Sequence, residues 1–321
     1  MIESLERRVL FAVTPGRVTD VEAETLARVT AYENGLTVGA SALAGSDYVV
    51  EHIFNNKRDG FQALGLTSPT EAPVLVLRGT NDAKDVVADA NRLGVGYNQF
   101  VDNWSGGKGV EAWLNSISQA APDNAGGSVD IVGHSLGGAL AQWIAAAYTH
   151  LGHPVGRVVT FNSPGISATY ARRFNPTLSL GVTDYIADGD IVSMAGQAFI
   201  AGQYDLVHYS SESELAPSIE SIFNWELTKH TTPMLTSAGG TVPADETIDA
   251  SLPTSGNLNS KSFVYADAEY SQMLQDLTTA VAQLPSPYRQ EYRKLPTALR
   301  SRQQTEAVRP ALFKLLFSNA I

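Results

Sequence analysis

The stretch VDIVGHSLGGAL, Val129 to Leu140, places a serine between a histidine and two glycines, where one apolar run ends and another begins. A serine hydroxyl is a poor nucleophile unless the backbone exposes it and another residue takes its proton. Gly133 and Gly137, two residues to either side of Ser135, let a strand turn sharply into a helix without a Cβ clash. Such a turn lifts the hydroxyl above the sheet edge. It also aims the amide of Leu136 at whatever Ser135 attacks, with the helix N-terminus adding favourable potential for a developing oxyanion. A turn that merely packed closely would give no reason for serine at the one position that projects outward.

The serine then needs a histidine within hydrogen-bond reach and a carboxylate to orient that histidine. His134 is adjacent, but it precedes the nucleophile on a bent backbone, so its expected place is behind the site. Nucleophiles on this kind of strand–turn–helix take first an acid and then a base from later in the chain. Only His150, His153, His208 and His230 follow Ser135. The first two lie near the far end of the helix that Ser135 opens, about 20 Å away at ~1.5 Å per residue. His208 sits in the strand-like YDLVHYS, where a packing or edge role is ordinary. His230, in LTKHTTP, opens a loop-rich segment and is favoured as the base, because loops over a rigid scaffold carry function. Of the acids, Asp184 falls inside an apolar strand. Asp188 and Asp190 fall just past it in IADGDIV, where catalytic groups gather in open α/β sheets. Asp190, anchored by Ile191 and Val192, is preferred over Asp188, which also suits a solvated turn; Asp205 is the remaining candidate.

The elements that must place these groups follow from the hydrophobic pattern. Asp20 to Asn34 reads as an amphipathic helix capped by Asp20, with Leu26, Val29 and Tyr32 on one face. Tyr48 to Phe54 reads as a second helical piece. GFQALGLTS from Gly60 and PVLVLRG from Pro73 read as strands, the first half-buried and the second central. A helix carrying Val110, Trp113, Leu114 and Ile117 follows. Then come the strand SVDIVG, the helix from Leu136, a strand over Gly156 to Phe161, a helical ISATYARRF and a strand from Leu180. This alternation predicts a mostly parallel sheet with helices on both faces. Past His230 the chain is rich in Gly, Pro and Thr, with a short hairpin expected at TVPADETIDA. Helices are expected over Tyr265 to Leu284 and around Leu295 and Phe313. The domain reading is a leader or flexible segment over 1–19, a main domain over 20–235, and a loop-rich linker with a helical extension over 236–321.

Bulk properties narrow the partners. The 321 residues are 44% apolar and 17% charged, which suits a folded globular chain. A formal charge of −11, with no basic block, argues against nucleic acid. There is no cysteine, so disulfides and zinc-thiolate sites are excluded. No His/Asp/Glu ligands appear at metal spacing, and no apolar run reaches about 18 residues, so neither a metal nor a spanning helix is expected. The apolar run from Val9 is about six residues, shorter than the roughly 7 to 15 of an export signal. LERRVLFA nevertheless resembles the leader of some bacterial surface and exported proteins, which leaves export and a cytoplasmic location both open.

Four motifs then occur in a fixed order: RGT at Arg78 to Thr80, GHSLGG at Gly133 to Gly138, TFNSPG at Thr160 to Gly165, and DIV at Asp190 to Val192. Together they resemble the class 3 lipases, the fungal-type lipase family of the α/β-hydrolases, over about Gly60 to His230. The resemblance implies an α/β-hydrolase fold with Ser135 as nucleophile, Asp190 as acid and His230 as base. Thr80, by amide and hydroxyl, and Leu136, by amide, would form the oxyanion hole. It further implies ester substrates, commonly acylglycerols and sometimes phospholipids or feruloyl esters, met at a lipid–water interface without a cofactor. A short lid would occupy NDAKDVVADANRLG, whose bulky apolar residues are only Val86, Val87 and Leu93. Three features depart from the family pattern: GYNQF replaces H-x-G-F, Ser193 stands where a proline usually follows the acid motif, and His230 lacks a D-H-L setting. Phe161, Ile166, Leu180, Trp225 and Leu235 are candidates for an acyl groove, each equally readable as core. The alternative from another class is a non-catalytic lipid-binding or scaffold protein whose site the C-terminal tail covers.

Overall fold

The structure, a computed structural model, describes residues 16–80, 90–91, 94–120, 128–187, 192–194, 197–209, 230, 233–235, 246–249 and 282. Apart from residue 282, which is helical, the expected helices beyond residue 260 lie outside these residues, as does nearly all of the lid segment.

Helix α1 (Asp20–Arg28) is capped by Thr19, not by Asp20 as expected. The Thr19 hydroxyl accepts from the Glu22 amide at 3.3 Å and the Glu22 carboxylate accepts from the Thr19 amide at 2.8 Å, a reciprocal pair that satisfies two orphan donors. Asp20 is thereby freed to accept from the Arg157 guanidinium and, at 2.7 Å, from the Tyr185 hydroxyl. The helix ends at Arg28 and passes into a single 3-10 turn, Thr30–Tyr32. Val29 consequently faces water, 54% exposed, where an uninterrupted helix would have buried it.

The piece expected to be helical at Tyr48 to Phe54 is instead strand β1 (Val49–Asn56). It pairs antiparallel with β2 (Phe61–Thr67), with Val50 opposite Leu66 and Phe54 opposite Ala63. Val49, Val50 and Ile53 are β-branched and suit the pleated surface. Strand β3 (Val74–Leu77) follows, buried at all four positions as expected of a central strand. A two-stranded ribbon, β4 (Ala90–Asn91) and β5 (Gly94–Val95), precedes helix α2 (Tyr97–Trp104), which the hydrophobic pattern did not reveal. Then come α3 (Val110–Ala120), β6 (Asp130–His134), α4 (Leu136–His150), β7 (Val155–Phe161), the one-turn α5 (Ala168–Ala171), β8 (Ser179–Ala187) and β9 (Gln203–Tyr209). ISATYARRF is therefore helical only over its middle. Glu246–Asp249, strand β10, lies within the expected hairpin and pairs antiparallel with β9.

These strands form one eight-stranded sheet in the order β1-β2-β3-β6-β7-β8-β9-β10. Pairing is parallel from β3 through β9 and antiparallel at both ends. Alternate side chains point to opposite faces. Leu75, Ile131 and Val158 share a register row and join one core with α2, α3 and α4, including Phe100, Trp113, Trp143 and Ile144. Val76, Val132 and Val159 form the next row and join a second core with Leu26 and Ala27 of α1. This is the α/β-hydrolase arrangement, a mostly parallel sheet with helices on both faces. Among the described residues, no helix is long and apolar enough to cross a membrane.

Candidate active site

The parallel strands deliver their C-terminal ends to one edge of the sheet, where ligand and catalytic groups gather in α/β folds. β3 leads into Arg78-Gly79-Thr80, β6 into Ser135, and β7 into Asn162. Ser135 itself has φ 59° and ψ −130°, a conformation that L-residues rarely adopt and that costs about 1–3 kcal/mol. The surrounding glycines make it possible. A Cβ on Gly133 would collide with the Gly137 carbonyl, one on Gly137 with the Leu77 carbonyl oxygen, and one on Gly138 would sit 2.6 Å from Ser163 Cβ. The Ser135 amide donates to the Phe161 carbonyl at 3.0 Å, which ties the turn to β7.

Of the histidines considered, His230 meets the serine. Its Nε2 lies 2.8 Å from Ser135 Oγ across 95 residues of chain, with both residues buried. His150 ends α4 and is exposed, and the His153 ring stacks on Tyr148 with centroids 4.7 Å apart. His208 lies in β9 with its backbone opposite Thr247.

The backbone carbonyl of His230 accepts three hydrogen bonds: from Asn162 Nδ2 at 3.0 Å, His134 Nε2 at 3.0 Å and Arg28 Nη1 at 3.1 Å. Asn162, at φ 47°, also receives the Ala187 amide on its Oδ1 at 2.8 Å and so joins the ends of β7 and β8 to the His230 segment. His134 sits behind the serine, its ring centroid 4.9 Å from that of His230. Burial, and then the positive charge of Arg28, hold its pKa well below the ordinary histidine value. It is therefore neutral, with its proton on the Nε2 that faces the carbonyl.

Thr80 is half-buried and follows Gly79, whose close packing brings the chain alongside Ser135. A Cβ on Gly79 would lie 2.5 Å from the Tyr32 hydroxyl, 2.7 Å from the His134 carbonyl oxygen and 3.1 Å from Ser135 Cβ. The Arg78 guanidinium lies over the Tyr32 ring, 4.9 Å from its centroid. Leu136 is the first residue of α4, its side chain buried. Asp188 and Asp190 lie outside the described residues. Asp184 accepts from the Thr160 hydroxyl at 2.6 Å inside the sheet, and Asp205 accepts from Gln203 at 2.8 Å. Among the described residues, no three His, Cys, Asp or Glu side chains cluster in a way that could hold a metal ion.

The proposed groove residues do not converge. Phe161 and Leu235 belong to the core on the α1 face, Ile166 belongs to the core on the α4 face, and Leu180 is 62% exposed. Trp225 lies outside the described residues. Local patterning could not separate groove from core, because both select apolar residues. Arg28 and Asn162, which bond the His230 carbonyl, were missed altogether, as was Glu24, whose carboxylate pairs with Arg28 at 2.9 Å. The one signal was the Glu24/Arg28 spacing, which on most helices marks a surface pair.

A family model described as Lipase (class 3) matches residues 74–198. No curated protein matches the chain. Among solved structures, one described as a fungal lipase has a TM-score of 0.50 at 17% identity, over 76% of this chain and 89% of that one. A mutant form of MDLA from Penicillium cyclopium gives 0.48 at 15% identity, over 79% and 91%. The Rhizomucor miehei lipase propeptide complex gives 0.46 at 17% identity, over 58% of this chain and 66% of that one. At such identities the likeness is one of fold.

Proposed function

We propose that this chain, whose residues 74–198 match a family model described as Lipase (class 3), is a hydrolase of the lipase/esterase type that cleaves carboxylic esters, acylglycerols first among them, through an acyl-enzyme on Ser135. The observation that carries the proposal is the 2.8 Å contact between Ser135 Oγ and His230 Nε2 at a turn that glycines alone permit. His230 takes the Ser135 proton as Oγ attacks the ester carbonyl carbon. The oxyanion so formed is received by the amides of Leu136 and Thr80, with the Thr80 hydroxyl beside them. The C–O bond to the alcohol breaks, and His230 gives its proton to the leaving oxygen. A water molecule, deprotonated by His230, then attacks the acyl carbonyl carbon; the bond to Ser135 Oγ breaks, His230 returns the proton to Oγ, and the acid leaves. Asp190, three residues past the end of β8, is assigned to accept from His230 Nδ1–H and stabilise the imidazolium. The catalytic domain is assigned to residues 20–235. The substrate is met at a lipid–water interface or in solution, and no cofactor takes part.

The test is Ser135→Ala. Turnover of a short-chain p-nitrophenyl ester should fall by about 10⁴-fold or more, as loss of a serine nucleophile does elsewhere, with thermal unfolding little changed. A serine-directed phosphonate should label Ser135 and nothing else. Near-normal rates in the variant would sink the proposal. A wild-type chain without ester turnover or labelling would favour the lipid-binding or scaffold role instead. Triacylglycerol, phospholipid and feruloyl esters of graded acyl length then separate the branches of the family.

A further inference from the structure

The strongest feature left over is a buried ion pair on α1. We propose that Glu24 and Arg28 are positioning residues for His230, a clamp that holds the base against Ser135 from the sheet face opposite α4. The proposal rests on the acyl-transfer role just assigned. Glu24 is wholly buried, and its two carboxylate oxygens accept from the backbone amides of Met234 at 2.6 Å and Leu235 at 2.7 Å. The same carboxylate pairs with Arg28 Nε at 2.9 Å, while Arg28 Nη1 donates to the His230 carbonyl at 3.1 Å. The guanidinium carbon lies 6.0 Å from the Phe161 ring centroid, so β7 limits its movement. One ion pair thus grips the His230 segment at 230 and again at 234–235, across more than 200 residues of chain. Met234 and Leu235 then enter the core beside Leu26 and Ala27.

Packing alone does not call for this pair. A buried ion pair is often replaceable by apolar side chains of similar volume without loss of stability, so its presence calls for another role. Here both charges are hydrogen-bonded to backbone groups of the segment that carries the base. Imidazole placement matters at the scale of about 1 Å, where catalytic rates change by roughly 100-fold. A carbonyl fixed by three donors, on α1, at the end of β6 and just past β7, leaves the His230 side chain little freedom beyond its own torsions. The fork of an arginine suits this task, since it can bind a carboxylate and a carbonyl at once; a lysine head group does so poorly.

The experiment uses the full chain and Arg28→Met, Arg28→Lys, Glu24→Gln and the Glu24→Gln/Arg28→Met double variant. On a short-chain ester, Arg28→Met should lower kcat by about 10- to 100-fold with KM within about twofold. Phosphonate labelling of Ser135 should slow in proportion. Arg28→Lys should recover part of the loss, and the double variant should be no worse than the poorer single one, because the two residues act as a unit. Variants that unfold at lower temperature but keep wild-type kcat and labelling rates would overturn the proposal and leave a purely structural pair. If Arg28→Met does not fold, Arg28→Lys carries the same comparison. Should the wild type prove inactive on esters, acyl transfer falls, and the clamp is judged separately from the imidazole nitrogen resonances of His230, identified with His230→Asn. Resonances that broaden or split in Arg28→Lys support the clamp, and unchanged ones overturn it.

Discussion

At the scale of single residues, His134 shows how a neighbour of Ser135 can matter through the backbone it holds. Its neutral ring donates from Nε2 to the His230 carbonyl, and its Nδ1 has no hydrogen-bond partner among the described residues. Burial lowers its pKa in the folded chain, whereas the unfolded chain binds a proton at the ordinary value of about 6.5. As pH falls below about 6.5, the unfolded state therefore gains a proton that the folded state refuses, and stability falls with it. The loss should keep growing as the pH falls, until the folded pKa is reached. Denaturant melts of wild type and His134→Gln at about pH 7.5 and about pH 5.5 check this. The wild type should lose more stability between the two than the variant, and equal losses would refute the assignment. The adjacency of His134 to Ser135 was plain in the sequence. Its partner was not, because the carbonyl it serves is 96 residues away.

At the scale of elements, the turn from β6 into α4 depends on backbones too close for any side chain. Gly137→Ala would press a methyl group onto the Leu77 carbonyl, and neither the central strand nor the helix end can yield cheaply. A loss of about 3 kcal/mol is expected. Gly107→Ala is the control, since nothing lies within 4 Å of a Cβ placed there, and its change should stay within about 0.5 kcal/mol. Urea unfolding of the two variants measures the contrast, and similar midpoints would show that the turn relaxes. This element was legible because glycine spacing, apolar run and helix lie within a dozen residues. β1 was misread as helix for the converse reason. Its apolar residues fit two periods, and only the register with β2 selects between them.

At the scale of the whole molecule, β10 covers the outer edge of β9 and so completes the sheet from beyond the assigned catalytic domain. A chain ending at Asn259 keeps that strand and should retain ester turnover within about twofold. A chain ending at residue 245 leaves the β9 edge unpaired, and self-association on size-exclusion chromatography is expected, as for other open edges. A marked rise in turnover for the Asn259 chain would instead identify residues 260–321 as a cover over the site. By itself the sequence determined the glycine-flanked turn at Ser135, the central strands and the sheet's mostly parallel character. Each of these is written in spacing and hydrophobic period over short stretches. Tertiary structure alone decided that His230 reaches Ser135 and that Glu24 and Arg28 grip the segment bearing it. Local patterning fixes which side of an element is buried. Which distant element shares that burial depends on how α1 packs across the sheet, a choice made by the whole chain at once.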